Sequence, residues 1–285
     1  MKKSSMHAKR LMLLCVVASA ALSGGLYAAR AQNQTVLEPT QVRHTAPYHV
    51  ADTAPDATAY LPPPPIAGTA RQQEDDTVFA QTRALQGSAR WALAQADAVE
   101  HIPAMLKGFS CAAGFVLDAD KAPHLVALLR KVRQSEKADV KLAKDHWQRP
   151  RPFVGTHEAV CTEGDRWRLS SSGAYPSGHT TWGWSTALVL SELLPERSTA
   201  LLQRGRVYGE SRIICGVHWV SDVQEGYLVG AAEIATMHGD ADFRADMEAA
   251  RAELATLKAH GTQPDAQTCA IEQDAARHSP LTPSP

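Results

Sequence analysis

From about residue 72 to residue 260, apolar residues return at intervals of three and four, and alternating strand-like runs are nearly absent. A stripe with that period can be buried only by packing helix on helix, so the pattern predicts an all-α helical bundle. It covers 72–85, 88–99 after Gly87, and 123–144. Over 180–194, Ala187, Leu190, Leu193 and Leu194 predict a buried helix that Pro195 stops. A helix over 196–214 ends near Gly216. Another starts near Ser221 and runs to His238 through Gly226, Gly230, Ala231 and Ala232, small residues that permit close helix packing. Residues 240–260 form a charged amphipathic helix, and no internal repeat is present.

Both flanks read differently. Lys2, Lys3, Lys9 and Arg10 precede a largely apolar run over 11–26 and a small-x-small pattern, Ala29-Arg30-Ala31, which predicts a secretory leader over 1–31. Residues 32–71 are rich in Pro, Ala and Thr and end in Leu61-Pro62-Pro63-Pro64-Pro65, which favours an extended arm. Residues 261–285, rich in Pro, Ser and Gln, read as a poorly ordered tail.

The leader carries five of the 29 Lys and Arg residues and none of the 30 acids, so the mature chain is acidic. That charge argues against a nucleic-acid partner. About 250 mature residues suit one large domain. No later stretch approaches a membrane-spanning length of about 18 apolar residues, so no membrane partner is expected after leader removal. Cys111, Cys161, Cys215 and Cys269 stay in an oxidising compartment, periplasmic or extracellular, where four cysteines allow three pairings or remain buried thiols. No C-x-x-C pair occurs.

Three segments carry the chemistry. Lys144 and Arg151 can supply a point charge and a bidentate fork to phosphate, although 121–152 also reads as a solvated basic face. Arg149-Pro150 repeats the Arg-Pro dipeptide, which leaves one of the two arginines open to a structural role. Pro176-Ser177-Gly178-His179 sits where a loop enters a helix, a position equally suited to an anion site or an ordinary cap. His179 adds a group able to protonate a leaving alkoxide. In Ser211-Arg212 with His218 and Asp222, the last two lie four apart, so on a helix beginning near His218 the carboxylate can orient the imidazole. Two metal ligands or a plain helix ion pair would give the same spacing. For Arg212 and His218 to meet one ligand, the chain must break at Gly216. No H-E-x-x-H, EF-hand or aspartate cluster is present, so neither metal nor cofactor is expected, and positive charge must come from side chains and helix ends.

Taken together, K-x6-R-P from Lys144, P-S-G-H from Pro176 and S-R-x5-H-x3-D from Ser211 resemble the type 2 phosphatidic acid phosphatase superfamily at every fixed position. Gly173-Ala174-Tyr175-Pro176-Ser177-Gly178-His179-Thr180 and Ser211-Arg212-Ile213-Ile214-Cys215-Gly216-Val217-His218-Trp219 resemble its bacterial class A non-specific acid phosphatases. The likeness spans about 60–258, and Ala174 replaces the serine usual there. The resemblance implies the helical fold shared by acid phosphatases and vanadium-dependent haloperoxidases. It also implies metal-independent hydrolysis of small phosphate monoesters with broad specificity, with a phosphotransferase side activity. In that scheme His218 is the nucleophile that forms a phosphohistidine, Asp222 orients it, and His179 is the general acid and base. Lys144, Arg151, Ser177, Gly178 and Arg212 hold the phosphate. A homo-oligomer is compatible. The rival expectations are a vanadate-dependent haloperoxidase, which shares the pocket, and a non-catalytic anion-binding envelope protein. The chain is short for a haloperoxidase, and a pure binder has no need of the His-Asp pair.

Overall fold

The computed structural model describes residues 46–48 and 54–281, which contain eleven α-helices and no strand. The leader expected over 1–31 and most of the arm up to residue 53 lie outside the described residues.

Where the arm is described, it is not uniformly extended. Asp56 caps a single turn, α1 (Ala57–Tyr60), by accepting from the Thr58 N–H at 2.9 Å. The prolines that follow form no helix, and Pro62 O accepts from the Tyr175 hydroxyl at 2.6 Å, which fastens the arm to the domain. Thr69 then caps α2 (Ala70–Arg83), two residues before the expected start, and Ser88 caps α3 (Ala89–Asp97).

Helix α4 (Ile102–Ala113) is absent from the sequence reading because Pro103 and Gly108 resemble breakers. Proline in the first turn costs no hydrogen bond, however, and Gly114 closes the helix at φ 87°. Helix α5 (Pro123–Trp147) runs until Gln148 takes a left-handed conformation at φ 46° and Pro150 bars continuation. After the short α6 (Arg166–Ser170) come α7 (Gly178–Leu193), α8 (Ser198–Ile214), α9 (Val220–Met237), α10 (Ala241–His260) and α11 (Ala266–Arg277). A 3-10 turn, Pro195–Arg197, takes the place of the expected first turn of α8.

Helix α7 is the central post. It is buried on nearly every side, with Trp182, Ala187, Val189 and Leu190 fully enclosed, as a helix apolar all round must be. Helices α8 and α9 pack on it from one side and α5 with α10 from another. Phe109 of α4, Leu125, Leu128 and Leu129 of α5, and Phe243, Met247 and Leu254 of α10 complete the main core. The small residues of α9 work as expected. A Cβ on Gly226 would lie 2.7 Å from Ser177 O, and Thr181 Oγ1 and Ser185 Oγ donate to Gly226 O and Gly230 O, each at 3.2 Å.

The tail over 261–285 departs from the expectation of poor order over 266–277, which form α11. A segment with too little apolar surface for its own core can still be ordered by tethers. Here Cys111–Cys269 bonds α11 to α4, Glu272 reaches Arg204 at 3.5 Å, and Arg206 donates to Ala276 O at 2.6 Å. The second disulfide, Cys161–Cys215, joins the loop after Arg151 to the end of α8. No described helix is long and apolar enough to cross a membrane.

Candidate active site

Helix ends converge on a cavity of about 890 Å³ lined by Lys144, Arg151, Gly178, His179, Arg212 and His218. Each comes from a point where the sequence interrupts a helix. Lys144 lies in the last turn of α5, and its Nζ donates to Gly173 O at 2.6 Å and Ala174 O at 3.2 Å. The Ala174 contact is through the backbone, so alanine serves there as well as serine would. Beyond the α5 stop, Arg151 Nε donates to Ser172 O at 3.1 Å and Nη1 to Val217 O at 2.9 Å. The loop over 172–174 thus holds both cations by its carbonyls.

Ser177 caps α7, with its hydroxyl accepting from Thr180 N at 3.3 Å and Thr180 Oγ1 at 2.9 Å, so its own proton is left to donate. Its backbone N–H donates to Asp222 O at 2.9 Å, which ties the start of α7 to the first turn of α9. Gly178 and His179 follow at the positive end of the α7 dipole.

At the end of α8 the chain turns on Gly216, at φ 72°, with a virtual Cβ only 2.4 Å from Arg83 Nη1. Arg83 is itself fixed by bonds to the carbonyls of Ala159, Ile213 and Ile214 at 2.6, 3.0 and 2.7 Å. This break lets Arg212 and His218 face one cavity. Helix α9 starts at Val220, close to the expected Ser221, so His218 lies just ahead of the helix, before its cap Trp219. The pair forms nonetheless, because Asp222 in the first turn of α9 reaches back, accepting from Trp219 N at 2.9 Å while its Oδ2 lies 3.2 Å from His218 Nδ1.

The partners fix the tautomer of His218. Arg151 Nη1 stands 3.0 Å from Nε2, and a guanidinium can only donate, so Nε2 carries its lone pair and Nδ1 carries the proton toward Asp222. Burial first, then Arg151, Lys144 and Arg212, hold the His218 pKa well below its ordinary value. The ring is therefore a neutral base with its lone pair turned toward the cations.

Arg149, left open between two roles, takes the structural one. Its Nη1 donates to Asp222 Oδ1 at 2.6 Å and Ser221 Oγ at 2.7 Å, and its Nη2 to Asp75 Oδ2 at 2.7 Å and Gln72 Oε1 at 2.8 Å. Asp75 in turn accepts from Ser221 N at 2.9 Å and Oγ at 2.6 Å. Burial pushes the Asp222 carboxyl up, and Arg149 and the Trp219 N–H pull it back. Nothing in the spacing of Asp75 connects it with Asp222.

The cation side is starved of anions. Arg212 is buried, and its Nε and Nη1 have no hydrogen-bond partner among the described residues. Desolvation lowers the pKa of Arg212 and drives Lys144 well down, and burial with Arg212 pushes Arg151 down to about 10. Orphaned buried donors of this kind are costly unless a ligand completes them. An anion with several oxygens would satisfy three cations and the α7 start together.

His179 stands on the other wall, stacked on Tyr208 with centroids 4.7 Å apart and planes 1° from parallel. Its Nε2 lies 2.7 Å from the Asp97 carbonyl and its Nδ1 3.1 Å from Glu100 Oε1. Burial and Arg212 push its proton affinity down, and Glu100 opposes them. Asp97, Glu100, Asp75 and Tyr208 all escape a reading of motifs, since they reach the site from α2, α8 and the turn after α3. Among the described residues no group of His, Cys, Asp and Glu is placed to hold a metal ion. His238, at the end of α9 and away from the cavity lining, pairs with Glu192 at 3.0 Å.

A helical bundle with a buried histidine base facing a cluster of cations defines the class as an anion-processing phosphatase-type site. The pattern of the PAP2 superfamily matches residues 126–244. An acid phosphatase of Zymomonas mobilis is 46% identical over 266 residues, covering 93% of this chain and 98% of its own. Non-specific acid phosphatases of Providencia stuartii and Salmonella typhimurium are 37% and 34% identical, spanning 71% and 75% of this chain and 82% and 86% of theirs. The chain belongs to the PAP2 superfamily, in its acid phosphatase branch.

Proposed function

We propose that the protein hydrolyses small phosphate monoesters without a metal ion, through a phosphohistidine on His218. The observation that carries this reading is a lone pair on His218 Nε2, facing Arg151, in one cavity with a buried Arg212 whose Nε and Nη1 lack partners among the described residues. In a bound ester, Lys144, Arg151, Arg212, the Ser177 hydroxyl and the N–H groups at the start of α7 hold the non-bridging oxygens. Donors fixed before the reaction stabilise the charge spread over those oxygens without reorganising.

His218 Nε2 attacks phosphorus, the bond to the leaving oxygen breaks, and that oxygen takes a proton from His179. A water, deprotonated by His179, then releases phosphate from His218. Asp222 keeps its role through both steps by binding the Nδ1 proton and balancing the charge of the phosphorylated ring. Phosphoryl transfer to an alcohol in place of water follows from the same intermediate, and the open cavity favours broad specificity. The leader over 1–31 would place the enzyme in the periplasm or outside the cell, where both disulfides persist.

The test is hydrolysis of p-nitrophenyl phosphate in EDTA, with trapping of labelled phosphoenzyme in acid-quenched samples. Activity should survive the chelator, and His218→Ala should lose the label together with at least a thousandfold in kcat. A label that persists in His218→Ala would assign the nucleophile elsewhere.

A further inference from the structure

Glu100 lies outside the three motifs, and its carboxylate enters the cavity wall between two groups. Oε1 is 3.1 Å from His179 Nδ1, and Oε2 is 3.3 Å from Arg133 Nη2 on α5. Its side chain is 48% exposed, so it can rotate, whereas His179 is fixed by its stack on Tyr208 and by the Asp97 carbonyl. That carbonyl cannot move freely either. The Asp97 carboxylate is locked by Arg204 and by the Ser211 hydroxyl at 2.6 Å.

A carbonyl oxygen only accepts, so His179 Nε2 carries a proton in every state of the ring. The proton that comes and goes is therefore the one on Nδ1, and the partner of Nδ1 in the unliganded cavity is Glu100. An ionised carboxylate also only accepts. With Glu100 ionised, as its depressed pKa favours, the hydrogen bond requires His179 to be the imidazolium. The groups facing the ring are Glu100 and Asp97 beside α3, Arg133 on α5, Tyr208 and Arg212 on α8, and His218 ahead of α9. Of those that shift its proton affinity, Glu100 raises it and Arg212 and Arg133 lower it.

We propose that Glu100 is a positioning residue that loads the general acid: it holds the Nδ1 proton on His179 until substrate arrives, then turns away from the ring while staying on Arg133 and yields that N–H to the leaving-group oxygen. The proposal rests on His179 acting as the general acid. In the step itself His218 Nε2 bonds to phosphorus, the phosphorus–oxygen bond breaks with its pair going to the leaving oxygen, and that oxygen takes the Nδ1 proton. The bound phosphate, which neutralises Arg212, keeps His179 protonated once Glu100 has turned away. Arg133, already 3.3 Å from Oε2, keeps hold of the carboxylate as Oε1 leaves Nδ1.

The experiment compares kcat/KM for p-nitrophenyl phosphate, whose leaving group departs without a proton, with kcat/KM for glycerol 2-phosphate, whose leaving alkoxide needs one. Glu100→Gln, Arg133→Gln and His179→Ala are measured as full-length mature enzyme across pH 4 to 8. Glu100→Gln is expected to lose roughly tenfold or more on glycerol 2-phosphate and less than about threefold on p-nitrophenyl phosphate, a split set by general-acid assistance. Its alkaline limb for glycerol 2-phosphate should move to lower pH, and that of Arg133→Gln to higher pH. A structural role would move both variants the same way or leave the limbs in place, and either result overturns the proposal. His179→Ala separates the two levels. If it loses glycerol 2-phosphate selectively while Glu100→Gln loses both substrates equally, Glu100 has no part in loading the acid. If His179→Ala itself shows no selectivity, the general-acid assignment fails and the proposal falls with it.

Discussion

Two adjacent Arg-Pro dipeptides end with opposite duties. Arg151 turns to the cavity, and Arg149 turns away to lie between Asp222 and Asp75, bonded to both. Asp222 is fully buried, so removing Arg149 leaves two buried carboxylates facing each other without their shared cation. Breaking a buried pair from one side costs about 3–5 kcal/mol. Arg149→Leu is expected to lower the denaturant midpoint by that order. It should also reduce kcat by about tenfold or more, because the carboxylate that orients His218 drifts. Arg149→Lys keeps the charge but not the fork, so it should recover stability in larger part than kcat. Equal recovery of both would show that Arg149 acts on folding alone.

Among the elements, the turn from α8 to α9 does the most for the site. It must place Arg212, Cys215, Gly216 and His218 within seven residues, and it does so by ending one helix on a left-handed residue and starting another after a two-residue gap. Gly216→Ala puts a Cβ into the pinned Arg83 guanidinium and holds alanine at positive φ. Backbone strain and loss of an Arg83 hydrogen bond together cost about 2–4 kcal/mol. The expected result is a lower melting temperature with kcat reduced more than KM is changed, since Lys144 on α5 and Ser177 at the start of α7, proposed to hold the phosphate, stay in place. A variant with wild-type stability and turnover would remove the turn from this account.

At the scale of the whole molecule, the bundle holds a positively charged, solvent-poor centre, and pH acts on it directly. His218, buried behind Arg151, Lys144 and Arg212, has a folded pKa well below the unfolded value near 6.5. Groups depressed on folding contribute stability that is complete above the unfolded pKa and is lost as pH falls through the folded one. Ligand-free protein should therefore melt at a lower temperature at pH 4 than at pH 7. Inorganic phosphate should recover about 2.7 kcal/mol at a hundredfold excess over its Kd, by completing the cation cluster. Thermal melts at the two pH values, with and without phosphate, measure this. A protein more stable at pH 4 than at pH 7 without phosphate would contradict the assignment of His218 as a buried, neutral base.

The sequence by itself determined the all-α class, most helix ends and the family. Period, proline, glycine and capping serines act locally, and every fixed motif position lies within a single short segment. It did not determine α4, whose Pro103 sits where a helix tolerates it, or α11, which is ordered by a disulfide and a buried ion pair to distant helices. Only the tertiary structure decided the duties of Arg149, Asp75, Asp97 and Glu100, because each depends on which donor or acceptor it meets across the bundle. Protonation follows the same rule. Two histidines of one chain take opposite states because one faces an arginine and the other a carbonyl and a carboxylate, and those partners are neighbours only after the helices pack.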